Sequence, residues 1–138
     1  MASIEREVER GLINAISGVS GLNYYTSERE SPRELPFVAV KAGIGSEELG
    51  PFTGVFRLGA TITYRQRADA VTKGSFDSKF QEVVAQLYRS PSLAADMTSS
   101  TNITVYNAKV TNEIPEIISA NRTWSRDVTL DIMASAKK

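Results

Sequence analysis

Val55-Phe56-Arg57-Leu58-Gly59-Ala60-Thr61-Ile62-Thr63-Tyr64-Arg65-Gln66-Arg67 is the stretch whose reading decides the fold class. Phe56, Leu58, Ala60, Ile62 and Tyr64 alternate with Arg57, Gly59, Thr61, Thr63 and Arg65. Successive side chains of a strand leave the backbone on opposite sides, so this period of two makes one apolar face and one wet face. A sheet with one wet face is typically antiparallel, and its apolar face must be covered by another layer.

Working outward, two stretches can supply that cover. On the N-terminal side Ile4, Val8, Leu12 and Ile16 recur every four residues with Ala15 beside them, the stripe of an amphipathic helix. Ser3 can cap it, Glu5 and Glu7 suit the positive end of its dipole, and Gly18 and Gly21 supply a stop. The opposite face, with Arg6, Glu9, Arg10 and Asn14, reads as solvated. On the C-terminal side Phe76, Phe80, Val83, Val84 and Leu87 form a second stripe, with Ser75 or Asp77 as cap and Pro91 as terminator.

Four further segments read as strands. They are Leu22 to Thr26, the continuous apolar run Phe37-Val38-Ala39-Val40, Ile103 to Val110, and Thr123 to Ala134. In the last, Val128, Leu130 and Ile132 alternate with Asp127, Thr129 and Asp131. The apolar parity of Ile103 to Val110 changes between Val105 and Tyr106, which a β-bulge explains. Ser27 to Pro36, with five charges and two prolines, reads as an exposed connection. Ala42 to Gly54 reads as a long loop or extended hairpin tip, Ser90 to Asn102 as irregular with a short turn at Leu93 to Met97, and Asn112 to Asn121 as a loop. The expected order is α-β-β-β-α-β-β: an α+β fold, a mainly antiparallel sheet with two helices on one face, in a single domain over residues 1–138.

Composition narrows the function. The chain has no histidine and no cysteine. Thiol nucleophiles, Ser-His-Asp arrangements, zinc sites built on Cys or His, and histidine proton shuttles are therefore excluded. Sixteen basic residues balance sixteen acidic ones, which argues against a dedicated nucleic-acid binder and leaves association electrostatically easy. The absence of disulfides fits a cytosolic life. The charged start has no apolar signal core, and no apolar run approaches the ~20 residues needed to span a bilayer. The sequons at Asn102 and Asn121 then read as accidental.

Candidate sites are few. Gly43-Ile44-Gly45 lacks the Lys-Ser/Thr pair and helix start of a phosphate loop. Glu47 with Glu48, or Asp127 with Asp131, could pair as carboxylates, but a wet surface accounts for them more simply. Trp124 reads as a packing anchor. Arg57, Arg65, Arg67, Arg122 and Arg126 put basic groups on or near two strands, where ion pairs between subunits are favoured over DNA phosphates by the neutral total. Ile44, Leu49 and Phe52, apolar and without period, need somewhere to bury and are candidates for the same assembly interface. The residues point to no catalytic group, cofactor or metal.

The layout resembles a family. The N-terminal helix, then Leu22-Asn23-Tyr24-Tyr25 and Leu35-Pro36-Phe37-Val38-Ala39-Val40, looks like the opening of the tail terminator proteins of tailed bacteriophages. Ala60-Thr61-Ile62-Thr63-Tyr64, the helix from Phe76 to Val84 and the closing Trp124 to Ile132 continue the likeness over nearly the full length, in element order and hydrophobic pattern. The resemblance implies a non-enzymatic virion protein, assembled in the host cytoplasm as a hexameric ring. Such a ring caps the tail tube, ends its polymerisation and joins the tail to the head-side connector. Its implied partners are the tube protein and the connector or neck protein, with the tail sheath as a further candidate. DNA would pass the lumen without specific binding, and no membrane is involved. The competing readings are another neck component, a small cytosolic dimeric ligand-binding module, and an enzyme using carboxylates and arginine.

Overall fold

The computed structural model describes residues 4–19, 21–26, 36–47, 54–67, 73–88, 93–113, 117–118 and 123–136. Its elements are α1 (Ile4–Ile16), β1 (Asn23–Thr26), β2 (Phe37–Glu47), β3 (Val55–Arg67), α2 (Lys73–Ala85), α3 (Leu93–Ser100), β4 (Ile103–Glu113), β5 (Ile117–Ile118) and β6 (Thr123–Ala136). The strands form one sheet in the order β1-β2-β3-β6-β4, with β5 also paired to β6. Every pairing is antiparallel except β1 with β2. The fold is α+β, as the alternation in β3 implies, with that strand inside the sheet between β2 and β6.

One face of the sheet carries the core. Val38 and Val40 of β2, Leu58, Ala60, Ile62 and Tyr64 of β3, and Val128, Leu130, Ile132 and Ala134 of β6 are buried on it. The stripes of both expected helices join them: Val8, Leu12 and Ile16 from α1, and Phe76, Phe80, Val83 and Val84 from α2. Phe76 stacks on Tyr64 with ring centroids 4.8 Å apart and meets Trp124 at 5.3 Å, which makes Trp124 a packing residue at the margin of the core. Gly21 sits at a φ of 80°, a left-handed conformation that glycine adopts freely, just after the chain leaves α1.

Several boundaries differ from the sequence reading. The segment expected to be irregular contains a third helix, α3, because Leu93 and Met97 are four residues apart and both bury. Met97 fits against Gly11 of α1, where a Cβ would lie 3.3 Å from its side chain and 3.0 Å from the Thr101 methyl. Helix α2 starts at Lys73, so Ser75 and Asp77 lie inside it rather than capping it. It stops at Ala85, before Pro91, in a turn where Leu87 N–H donates to Val84 O at 2.9 Å. Of the two readings of Ala42–Gly54, the extended hairpin holds over its first part: β2 continues through Glu47 against β3, with a register shift between Ile44 and Ser46. Likewise β4 reaches Glu113, and Ile117–Ile118 pair with β6 where a loop was expected. The bulge expected after Val105 is present, and a second follows between Val110 and Asn112.

The outer face of α1 is not fully solvated. Glu9 is 0% exposed and Glu7 3% exposed. Ala42 N–H donates to Glu9 Oε2 at 2.8 Å, two residues past the last β1–β2 pair, and Arg6 Nη1 donates to Glu9 Oε1 at 3.0 Å. On the other flank Asn102 N–H donates to Glu7 Oε1 at 2.8 Å and Arg10 Nη2 donates to the same oxygen at 3.0 Å. Each buried carboxylate thus has an ion-pair partner and a backbone donor, which is what makes its burial tolerable. Periodicity marks both residues as flank positions, and only the tertiary fold brings strand backbone to them.

Candidate assembly surface

The face of the sheet away from the helices is built by the odd-numbered residues of β2, β3 and β6. Register places Lys41 opposite Thr61, Gly43 opposite Gly59, and Thr61 opposite Thr129. The two bulges of β4 add Tyr106 and Thr111 to this face: Tyr106 Oη is 2.8 Å from Ser135 Oγ, and Thr111 Oγ1 is 3.0 Å from Thr129 Oγ1. Bulges re-aim side chains in this way without interrupting the strand. At the Gly43–Gly59 pair no side chain stands on the backbone; a Cβ on Gly59 would meet nothing within 4 Å, and one on Gly43 would lie 3.9 Å from Glu5 Oε2.

Three of the five candidate arginines lie here. Arg57 Nη1 pairs with Asp131 Oδ2 at 2.8 Å, an exposed bridge worth little to stability. The Arg65 guanidinium lies 6.0 Å from the Phe37 ring centroid. Arg67 ends β3 and is exposed. Arg126 is a correction. Its even spacing from Val128 turns it to the helical side, where it lies 4.2 Å from the Phe80 centroid and 3.6 Å from Asp77 Oδ1, with its side chain only 15% exposed. It belongs to the margin of the core, not to an exposed interface.

Ile44 is also relocated. It sits in β2 opposite Leu58 and remains 43% exposed, so it is a partly covered strand residue rather than a loop tip. Leu49, Phe52 and Arg122 lie outside the described residues. Tyr106, 56% exposed, was missed as a surface residue; the parity change beside it was the available signal.

Side chains cap two positions along the strand edges. Thr98 of α3 accepts the Val105 N–H at 2.9 Å and donates to the Val105 carbonyl at 3.3 Å, occupying both hydrogen-bonding groups of that β4 residue. On β2, Glu9 accepts the Ala42 N–H at 2.8 Å, past the end of β1. Bulges and side-chain caps of this kind discourage edge-to-edge pairing with another chain. Burial raises the pKa of Tyr24, whose hydroxyl donates to the Val19 carbonyl, and pushes that of Tyr64 up to about 12. Among the described residues no three acidic groups converge as metal ligands. A cleft of ≈ 280 Å³ between the end of α1 and α2, lined by Gly18, Val19, Lys79 and Glu82, opens to solvent. No family model matches the chain, and no curated protein matches it in sequence.

Proposed function

We propose that this chain is a structural subunit of a bacteriophage tail, a tail terminator that acts as a hexameric ring at the end of the tail tube. The observation that supports it is the one-sided sheet. Helices cover one face, side chains cap Ala42 of β2 and Val105 of β4, and the other face presents Lys41, Arg57, Lys109 and Tyr106 around the Gly43–Gly59 pair. Such a subunit has two unlike broad surfaces and is suited to heterologous contacts, which form rings where the rotation between subunits closes. The hydrophobic pattern set out above resembles that of tail terminators. In this role the ring ends tube growth by covering the last layer of tube subunits and offers its far side to the neck.

The experiment is electron microscopy of the purified protein, alone and mixed with polymerised tail tubes. Six-membered rings seated on one end of each tube are the expected result. A stable dimer that ignores tube ends refutes the proposal and favours the small binding module. A second arm uses the triple change Ile44→Ser, Leu49→Ser and Phe52→Ser. It is expected to leave the domain folded and to give uncapped, overlong tails; tails of normal length that join heads would remove these residues from the docking surface.

A further inference from the structure

We draw no further inference here: the strongest candidate, the open sheet face with Lys41, Arg57 and Lys109 about the Gly43–Gly59 pair, supports nothing beyond the assembly reading because nothing in the structure shows what covers it.

Discussion

Replacing Glu9 tests whether a buried carboxylate fastens the first helix. Glu9 is 0% exposed, accepts the Ala42 N–H at 2.8 Å and pairs with Arg6 at 3.0 Å. Glu9→Ala removes a hydrogen bond to a charged acceptor, worth ~1.5–3 kcal/mol, and leaves the Ala42 N–H without that partner, a further cost of ~1 kcal/mol when water enters only in part. The expected loss is therefore about 2–4 kcal/mol, a sizeable share of the ~5–15 kcal/mol typical of a domain. At ~3 °C per kcal/mol for a chain of this size, the melting temperature falls by about 6–12 °C. Glu9→Gln keeps an acceptor oxygen in the same shape and is expected to lose only ~1 kcal/mol. Urea unfolding of the wild type, both variants and the control Glu5→Ala gives the comparison. Equal losses for Ala and Gln would show that the charge, not the hydrogen bond, matters. No loss for Ala would refute the clamp.

Three further outcomes follow from the packing. Leu87→Ala is expected to cost about 2–5 kcal/mol by denaturant melt, since Leu87 is 4% exposed in the core although it lies past the end of α2. Gly11→Val sets a branched side chain where a Cβ already meets Thr101 at 3.0 Å, and is expected to cost about 1–3 kcal/mol as α1 and α3 part. Tyr64 has its pKa raised from 10.0 to about 12, chiefly by burial, so the folded state holds its proton longer than the unfolded chain. Its contribution is complete below pH 10.0 and is lost as pH climbs toward 12, at about 1.4 kcal/mol per pH unit in that window. Tyr64→Phe is expected to flatten that part of the stability–pH curve, and an unchanged slope would count against the burial argument.

The legible parts of the fold were those written in a long uninterrupted period. The β3 alternation and the stripes of α1 and α2 fix which side chains face inward, and burial follows them except at the ends, where Ile4 and Phe56 are only partly buried. The parity change at Val105 revealed a bulge for the same reason. Helix α3 escaped because eight residues hold only two turns of pattern, and its small polar residues resemble a loop. Of the two readings of Ala42 to Gly54, a loop or an extended hairpin, the second holds through Glu47: Gly43 and Gly45 read as turn residues, and hydrogen bonding to β3 overrides that preference. Glu7, Glu9 and Arg126 escaped for a deeper reason. A charged residue reads as wet, and its partners lie on other elements: Asn102 for Glu7, Ala42 for Glu9, and Phe80 with Asp77 for Arg126.

The two flanks of α1 also set a timetable for the nascent chain. The Glu9 tether reaches Ala42, 33 residues downstream, whereas the Glu7 tether waits for Asn102, 95 residues downstream. At ~5–20 residues per second of synthesis, the second anchor is made on the order of 5–20 s after the helix itself. During that interval Val8, Leu12 and Ile16 can lean only on β1 to β3 and on the helices already made, because β4 and β6 do not yet exist. The helix is therefore hinged at one side first and latched at the other last. Closing so long a loop is what slows folding in chains with distant contacts. A chain interrupted before Asn102 would carry its first helix half-fastened, with an apolar stripe still open to chaperones or to a neighbouring nascent chain.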